Sequence, residues 1–517
     1  MWAVHCYARL RSLDFGKRAD PFLTADLAPF ATFAAVAALR AGHPFELRLP
    51  IRNGKVTLPG LGQARIGPLG HSGLARMRSD SNGVLISSSD GDMRLPPDFR
   101  AESSRNWPNW TPVPRVRIEG EGLTLDAIVD VSDPLLARLG PPLRRVKRSW
   151  QPRLPAAWSI LARHHRPVAT GLADILTTLV PLAELPSGRP HSATSGWAWG
   201  AIGLSSVDDE ELLAETLLHE FQHLVLAAVE DLGPLVEPGT GELSYVGWRD
   251  DPRPAPAILH GTFAQFAVAG YWLRQRKAAG SADRFRHDVE FARARRSALA
   301  GVLTLDGSPL LTTTGRNMTG RVRDRLEVWQ YEDVSGDAEA AAAELAAEHY
   351  LRWRIAHLKP DEQSIQALAT QWLDLGVDAD GRPAPRVDLT PGNRSPSSEL
   401  AELLERRYRD PARLSKPSAG GPAITAVHLA LANGDDAQAC EGYLNLVMAD
   451  ANVDAWIGLT LARRRLSGLS WSFPISCRPE IAIAVHDRLR ALSGGADRSE
   501  AFVEWLARNW LSTDLGP

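Results

Sequence analysis

The sequence predicts an α+β protein, mostly helical, built around a metal-binding helical core. Three observations carry this. Apolar residues recur at helical spacing over most of the chain after residue 150, short alternating runs broken by Gly, Asn and Pro fall before residue 131, and one apolar helix pattern holds two histidines and a glutamate within five residues. The 517 residues can bury two or three cores. Three segments are expected: a smaller N-terminal α+β domain over 1–145, a metal-binding catalytic domain over 146–359, and a C-terminal helical hairpin or repeat-like module over 360–517.

In chain order, the N-terminus "MWAVHCYARLRSLDFGKRAD" mixes charged residues where a signal or anchor would need an apolar run, and "DLAPFATFAAVAALRAGHP" suits a packed helix better than a membrane span. "FELRLPIRNGKVTLPGLGQARIG" and "VRIEGEGLTLDAIVD" read as strands joined by turns. From Pro152 the pattern is helical, interrupted by "HSATSGWAWGAIGLSS", which reads as a strand and its turns leading into the histidine-bearing helix. Helical signals recur at 257–277, 283–301 and 335–357, and "DADGRPAPRVDLTPGNRSPSS" over 378–398 reads as an exposed connector. The last hundred residues suggest paired antiparallel helices. The acidic run before residue 355 reads as a solvated helical face, "ARARRSALAG" as a modest basic patch, and His164 and His165 as structural.

Composition narrows the function. A net charge of -3 with 23% charged residues argues against a general polyanion-binding surface, so nucleic acid is not an expected partner. The three cysteines, Cys6, Cys440 and Cys477, form no Cys-x2-Cys pair and no disulfide framework, which points to a reducing compartment. A cytoplasmic protein with no membrane partner is expected, and any metal must be held by histidine and carboxylate.

The chemistry lies in "LLAETLLHEFQHLVLAAVE", residues 212–230. His219 and His223 stand one helical turn apart, so their imidazoles can converge on one ion, and His-Glu-x-x-His is the zincin-type arrangement. Leu213, Leu217, Phe221 and Leu224 bury the helix, and two imidazoles with an acid in that setting need a compensating partner, which a metal supplies. A third ligand is expected from His260, at the start of the apolar stretch "PAPAILHGTFAQFAVAGYW", with Glu242 in "GTGELSY" as its rival; two histidines and one carboxylate would suit ferrous iron. Two familiar protease completions are missing. Leu226 and Val229 stand where a metzincin has its glycine and third histidine, and the 257–277 helix holds no acidic residue for a thermolysin-like site. The strand before the helix could pair with an extended peptide by its edge, with Trp197 and Trp199 as a wall or as packing, while His191 and Thr194 could line the site or finish the strand.

The blocks "HSATSGWAWGAIGLSS", "LAETLLHEFQHLVL" and "YVGWRDDPRPAPAILHGTFAQFAVAGYW", in that order, resemble a family of bacterial His-Glu-x-x-His proteins that accompany ribosomally made, post-translationally modified peptides. "LTLDAIVDVSDP" and "DAWIGLTLARRRL" add weaker likeness, and together the blocks reach over most of the chain. The resemblance implies an iron(II)- and 2-oxoglutarate-dependent peptide hydroxylase that uses O2 and acts at the β carbon of a residue in a precursor peptide. It implies His219 and His223 as iron ligands, with His260 the residue assigned to the remaining protein position. The radical-SAM fusion of some members is not expected, since no Cys-x3-Cys-x2-Cys cluster occurs. The distal carboxylate of 2-oxoglutarate needs a cationic partner, and Arg253 or Arg249 in "GWRDDPRPAP" is expected to clamp it. Glu220 would be a general base in a hydrolase, or a hydrogen-bond partner orienting a ligand in an oxygenase. A zinc metallopeptidase using Glu220, and a noncatalytic peptide-binding scaffold, are the competing readings, and a homodimer is a further expectation.

Overall fold

A computed structural model of the chain describes residues 21–99, 107–130, 150–182, 184, 190–196, 198–239, 242–278, 280–375, 387–390, 398–411, 414, 422–449, 452–468, 478–493 and 501–502. Helix takes 58% and strand 18% of these residues, so the class is α+β and mostly helical, with several open sheets. The chain divides into two compact units, 1–229 and 230–517. Of the three expected segments, 1–145 falls in the first unit, 360–517 in the second, and 146–359 contributes to both.

Among the described residues, the first unit begins with helix α1 (Pro21–Ala41) and strands β1 (Phe45–Ile51), β2 (Lys55–Leu58), β3 (Gly62–Arg65), β4 (Gly73–Asp80), β5 (Gly83–Ser88), β6 (Gly91–Arg94) and β7 (Trp110–Pro112). These form a four-stranded sheet in the order β1-β4-β5-β6 and a three-stranded sheet in the order β2-β3-β7. Alternation puts Leu49, Ile51, Ala75, Met77, Ile86 and Met93 on the inner face, where Ala35 and Leu39 of α1 and Trp110 join them in one core. Asn53 and Gly54, with φ of 52° and 73°, make the tight turn from β1 to β2. A side chain at 54 would also run into the Pro68 carbonyl oxygen at 2.3 Å. Pro50 is tolerated because β1 is an edge strand and needs no hydrogen bond from that nitrogen.

The rest of the described part of this unit is a five-stranded sheet with helices. Strands β8 (Arg115–Gly120) and β9 (Leu123–Val129) form a hairpin closed by Glu121 and Gly122, both at positive φ. Helices α2 (Leu154–His164) and α3 (Arg166–Ile175) follow, then β10 (Thr178–Pro181), β11 (Ser192–Ala193), β12 (Ala201–Leu204) and helix α4 (Glu210–Glu230), whose last residue belongs to the second unit. The sheet order is β11-β12-β10-β9-β8, with β9, β10 and β12 parallel and β11 antiparallel to β12. Buried Trp158 of α2 packs against the hairpin and donates its indole N–H to the Leu123 carbonyl at 3.4 Å.

The second unit is helical: α5 (Ala255–Ala278), α6 (Ser281–Asp306), α7 (Thr313–Trp329), α8 (Gly336–His357), α9 (Glu362–Leu375), α10 (Glu399–Arg409), α11 (Ala423–Asn433), α12 (Asp436–Ala449), α13 (Val453–Ser467) and α14 (Pro479–Ser493). Among the described residues, β13 (Leu358–Pro360) and β14 (Val387–Leu389) add a two-stranded sheet. One apolar core runs from Val289 of α6 through α8 to Leu489 of α14. The C-terminal helices pack closely because glycines receive neighbouring side chains: Val427 of α11 sits over Gly442 of α12, and Tyr443 of α12 over Gly458 of α13.

Two expectations about charge are corrected here. The acidic run of α8 is no solvated face, since Glu344, Glu348, Arg352 and Arg354 are all buried. Arg465 grips Glu344 through two nitrogens at 2.7 and 2.6 Å, Arg352 bridges Glu348 and Asp454, each at 2.6 Å, and Arg354 forks onto Glu480. The basic run of α6 is likewise paired with other side chains: Arg295 is buried and bonded to the Trp329 carbonyl and Glu339, while the partly exposed Arg293 pairs with Glu405 at 2.8 Å. Long arginine stems cover apolar surface while their guanidinium groups meet carboxylates, so a charge-rich helix can be a core helix. Further along the chain, β14 places a strand inside the segment expected to be a connector; residues 378–386 and 391–397 of that segment lie outside the described residues.

Candidate metal centre

The centre begins with the way α4 is set. β12 ends at Leu204 and α4 starts at Glu210, so a short connection fixes the helix start against the sheet. Asp209 caps it, its Oδ1 accepting from the backbone N–H groups of Glu211 at 2.9 Å and Leu212 at 3.0 Å. Leu213, Ala214, Leu217, Leu218, Phe221 and Leu224 are buried and hold the helix in the first unit. Helix α3 approaches closely at Gly171, where an added Cβ would lie 2.4 Å from the Phe221 ring. By length and composition α4 is also the one helix among the described residues apolar enough to cross a membrane. Leu213, Leu217, Leu218, Phe221, Leu224 and Leu226 go into the interior of this unit, while Val225 is exposed.

On this helix the structure brings His219 and His223 together, each half-buried. Their Nε2 atoms are 3.1 Å apart and their ring planes meet at 78°. An ion bound by imidazole nitrogens at about 2.0–2.1 Å separates two ligands by about 3.0 Å at a right angle and about 3.4 Å at the tetrahedral angle. The observed spacing falls between these values, so the pair fits a shared ion. Loss of hydration pushes the His219 imidazole down to about 4, so the ring is neutral at pH 7 and offers a lone pair without losing a proton.

Glu220 is 3% exposed. Ser192 of β11 donates its hydroxyl to Oε1 at 2.6 Å, while Oε2, also buried, makes no hydrogen bond among the described residues. Burial raises the Glu220 carboxyl above its ordinary value, with Ser192 and then Thr194 opposing. Ser192 is itself fixed by the sheet: β11 pairs with β12 in the register Ser192↔Leu204, and the His191 backbone exchanges hydrogen bonds with Ser205. Ser192 is the residue that sequence reasoning missed. It lies inside "HSATSG", where attention fell on the histidine and threonine, and a serine 28 residues before a glutamate carries no local signal. The edge-strand expectation is corrected as well. β12, within "GWAWGAIGLSS", lies between β10 and β11, so β11 is the edge strand instead. Trp199 is 49% exposed, and Trp197 lies outside the described residues.

No family model matches this chain. No curated protein matches it either. The residues therefore carry the functional reading through their own chemistry and the resemblance stated above.

The other expected site residues lie in the second unit. His260, at the start of α5, has its Nε2 2.8 Å from Oε2 of Glu230. Glu242 is exposed. Arg249 and Arg253 both hold Asp251, with Arg249 Nε at 3.0 Å from Oδ1 and Arg253 Nη1 at 2.8 Å from Oδ2. Burial would raise the Asp251 carboxyl, but the two guanidinium groups outweigh it and the net direction is down. The loop carrying them is closed by backbone hydrogen bonds between Ser244 and Arg253. It is tied to α8 by Tyr245, whose hydroxyl meets His349 Nδ1 at 2.9 Å, and by the Asp250 carbonyl, 2.6 Å from His357 Nε2. Among the described residues, no group of three His, Cys, Asp or Glu side chains is gathered for one ion. What the structure does bring together is the histidine pair on α4 and, on the same helix, Glu220 bonded to Ser192.

Proposed function

We propose that this chain is an iron(II)- and 2-oxoglutarate-dependent hydroxylase that modifies a side chain, at its β carbon, in a ribosomally made precursor peptide. The observation that carries the metal is the 3.1 Å approach of the His219 and His223 Nε2 atoms on a helix that keeps His219 neutral. Oxidation in place of cleavage rests on the sequence resemblance and on the missing protease completions. When bound, iron and 2-oxoglutarate supply the activation of O2 that puts one oxygen atom into a C–H bond.

The protein's residues have separate tasks in this reading. His219 and His223 hold the metal; for a further protein ligand the sequence alone offers His260, with Glu242 as its rival, and His260 meets Glu230 at 2.8 Å. Glu220, buried and bonded to Ser192, follows His219 directly on the helix. Arg253 and Arg249 are the sequence-derived partners for the distal carboxylate of 2-oxoglutarate. Asp251 occupies part of their hydrogen-bonding capacity, and each guanidinium has five N–H donors to share.

Anaerobic addition of iron(II) and then 2-oxoglutarate tests the reading. A visible charge-transfer band is expected in the wild type and lost in His223→Ala; candidate precursor peptides should then gain about 16 Da, the mass of one oxygen atom, in the presence of O2. A zinc metallopeptidase is the second reading, favoured by a buried Glu220 whose raised carboxyl is tuned as a general base would be. Stoichiometric zinc, no charge-transfer band, and peptide cleavage abolished in Glu220→Gln would replace the hydroxylase with the peptidase.

A further inference from the structure

We propose that Ser192 is a positioning residue for Glu220, holding Oε1 so that the carboxyl keeps one orientation beside the histidine pair and its Oε2 remains available to a group bound there. The inference rests on the metal reading above and adds a residue to it. Three observations converge. The hydrogen bond from Ser192 Oγ to Glu220 Oε1 is 2.6 Å and joins β11 to α4 across 28 residues of sequence. Its donor sits on a strand whose register with β12 is fixed on both sides of Ser192 by the His191–Ser205 bonds and the Ala193↔Gly203 pairing. Glu220 is 3% exposed, its Oε2 has no partner at hydrogen-bonding distance and angle among the described residues, and Thr194 is the other hydroxyl that acts on the carboxyl.

A buried polar atom without a partner is uncommon in a folded protein and calls for a physical reason, of which a role at a binding site is one. Position on the helix supplies that reason here. Glu220 follows His219 directly and stands three residues before His223, so its carboxyl belongs to the same turn that holds the pair. A glutamate has three side-chain torsions. With Oε1 fixed, rotation that would carry Oε2 away from the turn breaks the 2.6 Å hydrogen bond from Ser192. Ser192 therefore acts on a ligand of the histidine pair only through Glu220, and an outer partner of this kind tunes affinity and geometry without touching the ion.

Cobalt(II), whose visible absorption reports its coordination, is the probe, applied to the full chain. Ser192→Ala, Ser192→Thr, Glu220→Gln and the Ser192→Ala/Glu220→Gln double variant are compared with wild type, each checked for folding by circular dichroism without metal. Wild type should bind one equivalent. Ser192→Ala should weaken binding by roughly tenfold, at the lower end of what outer partners contribute, and move the absorption bands in the direction that Glu220→Gln moves them. Ser192→Thr should restore both, because it keeps the hydroxyl. The double variant should bind no more weakly than Glu220→Gln alone, because a residue that works only through Glu220 has nothing left to position. Wild-type binding and spectrum in Ser192→Ala, or an additive loss in the double variant, overturns the proposal while the metal reading stands. Failure of the wild type itself to bind cobalt(II) or iron(II) overturns both.

Discussion

His219 shows how one side chain can tie stability to pH. Its imidazole titrates near 6.5 when unfolded and at about 4 when folded. Between those values the unfolded chain binds a proton that the folded ring refuses. The contribution is therefore intact above about pH 6.5 and is lost as the pH falls toward 4, by at most about 3 kcal/mol for a shift of this size. Urea midpoints of the metal-free protein should drop over that window, and His219→Asn should remove this part of the drop. An unchanged profile in the variant would mean that the wild-type ring is as hydrated when folded as when unfolded. Glu220 illustrates the limit of sequence at the same scale. Its identity beside two histidines is evident from the motif, whereas its partner on β11 is set by a strand register that no local pattern encodes.

Among the elements, α4 depends on close approach by α3. Replacing a helical glycine by alanine ordinarily stabilises a helix by about 1 kcal/mol. At Gly171 the new Cβ would meet the Phe221 ring at 2.4 Å, and Phe221 is buried with little room to move. Overpacking wins there, and Gly171→Ala is expected to destabilise by about 1–3 kcal/mol, read as a lower denaturant midpoint. Because Phe221 lies between Glu220 and His223, the same variant should also bind cobalt(II) more weakly. An element such as α4 was legible beforehand, since its apolar spacing and motif coincide. The helices at 257–277, 283–301 and 335–357 were read nearly to their ends, and correspond to α5, α6 and α8. Helix α7 was not singled out, because its stretch is rich in Arg, Thr and Gly and its buried residues are few and spaced.

Across the molecule, the second unit is held by contacts between residues far apart in sequence. The fork of Arg354 onto Glu480 joins α8 to α14 over 126 residues, with both groups buried. Removing one partner leaves a desolvated charge, so Glu480→Ala should cost about 3–5 kcal/mol in equilibrium denaturation. Replacing both, as Arg354→Met with Glu480→Leu, should return most of that loss, since the pair's net worth is small beside its desolvation. A single variant no less stable than wild type would show that the pair is solvated in solution.

By itself the sequence determined the class of the fold, the strands and turns of the N-terminal region, the long helices, and the placement of His219, Glu220 and His223 within one helical turn. Those features follow from period and local backbone chemistry, which neighbouring residues specify. Only the tertiary structure decided that Ser192 holds Glu220, that β11 takes the sheet edge from β12, and that Arg295 of α6 and Glu344, Glu348, Arg352 and Arg354 of α8 are interior. Each of these depends on which distant segment supplies the partner. A serine, a strand or an arginine looks the same in sequence whether water or a buried carboxylate faces it, because burial belongs to the packed chain and not to the residue.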